Sequence, residues 1–171
     1  MTPLAVLPDE LLRVPLMLWA PGRVPAGKRI RTPTSLTDLL PTVLDLVGLP
    51  PAEGIDGENQ APRIRGTAPE DPDRAVFTEV HPGDRNPDHM VAAHTLAEKW
   101  IFTDVEPPKA VAYDLVGDRG EHAPLDDPAR LDRGRGYFAR YEAIGQDEGG
   151  AVHARVGPVM EERLKALGYV Q

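Results

Sequence analysis

The sequence predicts an α/β fold in which a core strand and a helix precede a small four-stranded antiparallel sheet with helices. Three observations carry this prediction: a short apolar run at residues 14–19, a helix-period pattern at residues 39–47, and closely spaced alternating segments after residue 75. A chain of 171 residues can bury one core but is too short for two large domains.

The apolar run at residues 14–19 (Val-Pro-Leu-Met-Leu-Trp) is typical of a strand buried on both faces of a parallel sheet. The helix that follows has N-cap candidates from Ser35 to Asp38, and Gly48 supplies its stop. Pro41 fits the first turn of this helix if Asp38 is the cap, because the N–H groups there have no intrahelical partner.

Apolar and polar residues alternate in four short segments, which predict an antiparallel meander: residues 75–80, 91–96, 100–105 and 111–116. A weaker helix begins at Asp127-Pro128, and residues 158–167 predict a short terminal helix. We therefore predict three regions: residues 1–60 as the last strand and helix of an α/β core, 61–74 as a linker, and 75–171 as an antiparallel-sheet subdomain with terminal helices.

Composition excludes several classes of function. Nineteen Lys and Arg against 27 Asp and Glu give a net charge of −8, which disfavours nucleic acid as a partner because phosphate binding needs a surplus of cations. The chain has no cysteine, and Ser35 is its single serine, so most cysteine and serine hydrolase mechanisms are excluded. No apolar run approaches the ~20 residues of a membrane helix, so no membrane partner is predicted.

Short motifs follow one another in a fixed order along the chain. They are RVPLMLWAPG at 13–22, SLTDLLPTVLDLVG at 35–48, Ile-Asp-Gly at 55–57, Val-Phe-Thr-Glu at 76–79, Glu-Lys-Trp-Ile at 98–101, YDLVGDRGE at 113–121 and LKALGYV at 164–170. Each motif alone is weak evidence, but the collinear series resembles the C-terminal portion of the sulfatase family, within the alkaline phosphatase superfamily.

The resemblance implies an alkaline-phosphatase-like α/β fold and hydrolysis of sulfuric esters by the complete family enzyme. Family members use a formylglycine made from a Cys/Ser-x-Pro-x-Arg motif and a divalent metal, usually calcium. Here Ser35 is followed by Leu-Thr-Asp, and no Asp-Asp pair stands early in the chain. We therefore predict no catalytic residue and no metal ligand in this chain, and expect it to be catalytically incomplete alone.

His81, Arg85 and His89 are the candidate substrate-binding residues, because the family's loop after the Phe-Thr-Glu strand often approaches the substrate mouth. With His94 they form the most polar group of the sheet region. A solvated loop with idle histidines is the alternative. The spacing His-x7-His-x4-His matches no recognised metal-ligand pattern, which argues against a histidine-only metal site.

Several alternatives stay open at this point. The chain could be a non-catalytic module that completes a separate N-terminal sulfatase fragment, a homo-oligomer, a truncated gene product, or part of a related phosphodiesterase or phosphonate monoester hydrolase. The complete enzyme would act on a sulfated small molecule or glycan. The first residues do not form a signal peptide, which by itself indicates the cytoplasm, but many family members are exported and location is left open.

Overall fold

A computed structural model describes residues 7–81, 89–103 and 109–147. The chain divides into two compact units, Met1–Tyr141 and Glu142–Gln171. Of the second unit, residues 142–147 are described, and they end the last helix. The predicted terminal helix over residues 158–167 lies outside the described residues, and the three-region division of the chain stays a prediction.

The described residues form short helices followed by a sheet and one long helix. In chain order they are α1 (Asp9–Leu12), a 3₁₀ turn (Leu36–Asp38), α2 (Leu39–Val47), α3 (Ala61–Arg65), β1 (Val76–Val80), β2 (Met90–His94), β3 (Glu98–Thr103), β4 (Lys109–Asp114) and α4 (Pro128–Asp147). No helix in the described part of the chain combines the length and apolarity needed to cross a membrane.

The four strands form one antiparallel sheet in the order β1-β2-β3-β4, as the alternating segments predict. Its register pairs Ala93 with Trp100 and Trp100 with Ala112, so these residues share one face. Helix α4 covers this face with Leu131, Tyr137 and Phe138. The indole Nε1 of Trp100 donates to the carbonyl of Arg130 at 2.8 Å, which fixes the helix to the sheet.

The opposite face of the sheet packs against the segment that leads into α1. Leu7 joins the buried cluster of Met90, Ala92, Ile101 and Tyr113. Lys99 lies on this face and is fully buried. Its Nζ donates to both carboxylate oxygens of Glu121 at 2.8 Å and to the carbonyl of Leu7. A buried ammonium group requires such a partner, because an unpaired charge in the interior is costly.

Helix α2 begins as its sequence predicts, through a capping box. The Ser35 hydroxyl accepts the N–H of Thr37, while the Asp38 carboxylate accepts the N–H of Ser35 at 2.8 Å. Ser35 is therefore the cap of the preceding 3₁₀ turn, and Asp38 completes the box. The helix ends at Gly48, whose φ of 78° is one that glycine adopts without strain.

The loop after α2 returns to the start of that helix. A Cβ on Gly57 would lie 2.0 Å from the carbonyl oxygen of Thr37, so only glycine fits there. The next residue, Glu58, donates its N–H to Asp38 Oδ1 at 2.8 Å. Arg74 pairs with Asp38 at 2.9 Å and with Glu58 at 2.7 Å. The Ile-Asp-Gly motif thus packs against the 3₁₀ turn that precedes α2.

Helix α3 lies in the stretch for which the sequence predicts a linker. Pro62 stands in its first turn and Gly66 ends it at a φ of 79°, both favourable positions for these residues. Ala61 and Ile64 pack with Leu46 of α2 into one cluster. The sequence signal for this helix is the combination of Pro62 near its start and Gly66 at its end.

Residues 14–19 do not form the predicted strand within the described part of the chain. Met17 is 90% exposed and Trp19 is 88% exposed, whereas Leu18 between them packs against the α2–α3 cluster. A strand of a parallel sheet exists only beside a hydrogen-bonded neighbour, and the described residues supply none.

Candidate functional site

The candidate site lies at the end of β1, an edge strand of the sheet. Glu79 and Phe77 share the face that α4 covers. The Tyr141 ring on α4 lies 5.6 Å from that of Phe77, and its hydroxyl donates a hydrogen bond to the Glu79 carboxylate. Strand and helix together therefore fix the position of this carboxylate.

His81 and His89 both direct their Nε2 atoms to Glu79. His89 Nε2 lies 2.7 Å from Glu79 Oε1, and His81 Nε2 lies 3.6 Å from Glu79 Oε2. The two imidazole rings stack with their centroids 5.5 Å apart. The structure thus brings together two of the three predicted substrate-binding residues, while Arg85 lies outside the described residues. Their assignment to substrate stays a prediction.

Hydrogen bonding keeps Glu79 ionised. The Tyr141 hydroxyl and the His89 ring lower the pKa of Glu79, although partial burial opposes them. Burial and the neighbouring Glu79 carboxylate raise the pKa of Tyr141, so its phenol stays protonated and can donate. The site is therefore a carboxylate that faces two imidazoles, a donor set for a proton or a metal cation.

His94 is separated from this group, although the sequence places it in the same polar cluster. Its side chain lies on the other face of the sheet, the face of Lys99. Burial, with a smaller contribution from the Lys99 charge, lowers the pKa of His94 to about 4. Its Nε2 is buried and has no hydrogen-bond partner among the described residues, and its Nδ1 lies 3.8 Å from Asp9.

Glu79 is the residue of the site that the sequence reading missed. It belongs to the Val-Phe-Thr-Glu motif, and the spacing of the histidines alone does not single it out. The available signal was the spacing Glu-x-His at the end of a predicted strand. Residues two apart on a strand point to the same face, so this spacing places Glu79 beside His81.

Comparison with known proteins gives a consistent result. No protein-family model matches the chain. Homo sapiens arylsulfatase D is 34% identical over 95 residues, which cover 54% of this chain and 14% of that protein. Danio rerio arylsulfatase K is 45% identical over 51 residues, which cover 30% of this chain and 10% of that protein.

Solved structures show the same likeness. A Bacteroides thetaiotaomicron protein assigned to the sulfatases has a TM-score of 0.53 at 24% identity, over 72% of this chain and 27% of that one. A 2-O GAG sulfatase has a TM-score of 0.52 at 22% identity, with the same shares. These findings confirm the predicted α/β fold class and the resemblance to the C-terminal portion of sulfatases. The chain spans about a quarter or less of the length of these proteins.

The family's formylglycine and calcium do not fit the residues near α2. The Ser35 hydroxyl is engaged as a helix cap, accepting from Thr37, and its sequence context is not the one that is converted. The Asp38 carboxylate is buried and already accepts from two backbone N–H groups and from Arg74. Its oxygens therefore have protein donors where calcium would need free acceptors.

Proposed function

We propose that this chain is the C-terminal part of a sulfatase-like hydrolase, and that it forms a wall of the active site without supplying the nucleophile or the calcium ligands. The sequence match to arylsulfatase D supports this, because it is 34% identical over 95 residues yet covers 14% of that protein. Hydrolysis of a sulfuric ester needs a nucleophile and stabilisation of the developing charge. In the complete enzyme, the substrate would be a sulfated small molecule or glycan.

The observation that carries the proposal is an uncovered apolar surface on α2 and on the turn before it. Four side chains at helical spacing are between 42% and 69% exposed and define what we call the apolar stripe: Leu36, Leu40, Val43 and Val47. An adjacent side of the helix is already buried against α3 through Leu46. A helix that is apolar on a second side normally packs against further protein there.

The segment at residues 14–19 also supports packing against further protein. It exposes Met17 and Trp19, and its sequence is typical of a strand in a parallel sheet. In the proposed arrangement, the rest of the hydrolase supplies the neighbouring strand and covers the stripe. His81, Arg85 and His89, around the end of β1, would then border the substrate mouth.

The exposed surface equally favours a module that completes a separately encoded N-terminal fragment. The coding sequence upstream of Met1 separates the two proposals. An in-frame segment with Cys/Ser-x-Pro-x-Arg and Asp-His/Asn-Gly supports a single enzyme, whereas a separate gene with those motifs supports assembly. Absence of both contradicts either function.

Catalytic incompleteness is tested with the purified chain, a chromogenic aryl sulfate and added calcium. We expect no turnover above that of a buffer blank. Turnover that co-purifies with the chain would contradict the proposal. A sulfatase of known activity, assayed in the same buffer, serves as the positive control.

The apolar stripe is tested by self-association of the same chain. We expect the wild type to oligomerise, and the double variant Leu40→Glu, Val43→Glu to be monomeric in sedimentation velocity, because charges on the stripe oppose its burial. Val116→Glu is the matched control, since Val116 is 74% exposed and lies in a turn away from the stripe. A monomeric wild type, or equal effects of stripe and control variants, would count against the stripe as an interface.

A further inference from the structure

The cluster at the end of β1 has the donor set of a transition-metal site. One ligand atom each from Glu79, His81 and His89 lies within 4.8 Å of the other two. Two imidazole nitrogens and one carboxylate oxygen form a common protein ligand set for Zn²⁺. Carboxylates alone would favour Ca²⁺ or Mg²⁺, but two imidazoles shift the preference to Zn²⁺ and its neighbours.

The distances between the ligand atoms are compatible with a bound metal ion as well as with a shared hydrogen bond. Zn–N and Zn–O bonds of about 2.0–2.1 Å place tetrahedral ligand atoms about 3.3 Å apart. The observed Nε2-to-carboxylate distances are 2.7 Å for His89 and 3.6 Å for His81, on either side of that value. Small side-chain rotations would therefore seat an ion between the three groups. The rotations are accessible because the His81 side chain is 76% exposed.

A supporting residue holds the carboxylate in place. The Tyr141 hydroxyl donates to Glu79, and the Tyr141 ring packs against Phe77 and Phe138. Ligating carboxylates in metal sites are commonly oriented by such a hydrogen bond from a second residue. A hydrogen-bonded pair of surface side chains would not need a half-buried phenol behind it.

The charge of the cluster favours a cation over an anion. An oxyanion placed between the two imidazoles would meet the Glu79 carboxylate, whose oxygens lie 2.7 Å from His89 Nε2 and 3.6 Å from His81 Nε2. A divalent cation instead neutralises that carboxylate and takes the nitrogen lone pairs of both rings.

We propose that Glu79, His81 and His89 bind one divalent transition-metal ion, Zn²⁺ in the first place, with Tyr141 as the residue that positions the carboxylate. Three protein ligands leave a coordination position for water or an anionic group. The metal site is therefore compatible with a role of the same residues at a substrate mouth, but it does not depend on that role.

The test uses the tag-free, EDTA-treated chain and Co²⁺, whose visible absorption reports tetrahedral nitrogen and oxygen ligands, followed by displacement with Zn²⁺. We expect one equivalent to bind. His81→Gln, His89→Gln and Glu79→Gln should each weaken binding by at least about tenfold, and Tyr141→Phe by about tenfold, as for other residues that orient a ligand. Circular dichroism checks that each variant is folded.

His122→Gln is the matched control. His122 is an exposed histidine 3.0 Å from Asp118, a pair that resembles His89 and Glu79 but lies outside the three-residue cluster. Its variant should bind Co²⁺ like the wild type. The proposal is overturned if the wild type binds no more Co²⁺ than the double variant His81→Gln, His89→Gln, or if His122→Gln weakens binding equally.

Discussion

The sheet and helix α2 differ in how completely they are covered. Both faces of the sheet are buried, one by α4 and the other by the segment around Leu7, and β2 and β3 are buried along their whole length. Helix α2 is buried on one side against α3 and exposes the apolar stripe on another. Both faces of the sheet are thus packed within this chain, whereas α2 keeps an apolar side that no other described residue buries.

This difference indicates that the sheet is stabilised by contacts within the chain, whereas α2 needs further protein to bury its apolar stripe. Ion pairs occur in both regions. Lys99 and Glu121 form a buried pair beneath the sheet, while Glu58 and Arg63 near α2 pair at the surface. The buried Asp38 carboxylate also pairs with Arg74 at the start of α2. The difference between the two regions therefore lies in the exposed apolar stripe and not in their ion pairs.

The largest effect is expected from two tryptophans that differ in environment. Trp100→Ala should lower the free energy of unfolding by about 3–5 kcal/mol, because the side chain is fully buried and removal leaves a cavity under α4. Trp19→Ala should change it by less than about 0.5 kcal/mol, since Trp19 is 88% exposed. Urea unfolding followed by circular dichroism measures both.

A milder variant at Trp100 provides a second test of the comparison between the two tryptophans. Trp100→Phe keeps an aromatic ring but loses the hydrogen bond to Arg130, and we expect an intermediate loss. Equal destabilisation by Trp100→Ala and Trp19→Ala would show that the segment at residues 14–19 is already packed, and the proposed contrast between the two regions would be wrong.

A smaller effect is expected where the Ile-Asp-Gly loop meets α2. Gly57→Ala should cost about 1–3 kcal/mol, because the added methyl would lie 2.0 Å from a backbone oxygen that cannot rotate away. Gly136→Ala, on α4 with nothing within 4 Å of the added methyl, should instead stabilise by about 1 kcal/mol through helix propensity. If both variants behave alike in urea unfolding, the close approach at Gly57 does not constrain the fold.

Local signals account for what the sequence predicted correctly. The four strands follow from short, closely spaced segments separated by turn residues, and α4 begins at Asp127-Pro128, where the Asp127 carboxylate accepts the N–H of Ala129. The caps of α2 are likewise predicted from residues close together in the sequence. The prediction of a strand at residues 14–19 was wrong because a strand needs a hydrogen-bonded partner that is distant in sequence. The apolarity of the segment predicts that it is buried but does not identify the residues that bury it.

The candidate site shows the same limit. Spacing along the chain grouped His81, His89 and His94, but the alternation of β2 sends His94 to the opposite face from Glu79. Glu79 and Tyr141 lie 62 positions apart, so no local pattern could link them. Recognition of the family came from ordered motifs, whereas the site needed the register of the strands and the position of α4.

The smallest effect concerns pH and belongs to the sheet alone. Burial lowers the pKa of His94 to about 4 in the folded chain, against 6.5 for the ordinary group. As pH falls below 6.5, the unfolded state takes up this proton first, so stability is complete above that value and is lost towards pH 4. Between about pH 7.5 and about pH 5.5 we expect a loss of roughly 1 kcal/mol.

The groups around His94 make this assignment specific. Burial lowers the pKa of His94 most, and the charge of Lys99 on β3 lowers it further. The Asp9 carboxylate on α1 lies 3.8 Å from His94 Nδ1 and does not reverse the lowering. The paired carboxylates Asp45 and Glu58 have lowered pKa values and titrate below this pH window, although partial burial works against the lowering. His94→Gln should therefore reduce the change in urea midpoint between the two pH values. The exposed control His122→Gln should show the same change in midpoint as the wild type. A change as large as the wild type's in His94→Gln would mean that the sheet admits a proton at His94 as easily as the unfolded chain does.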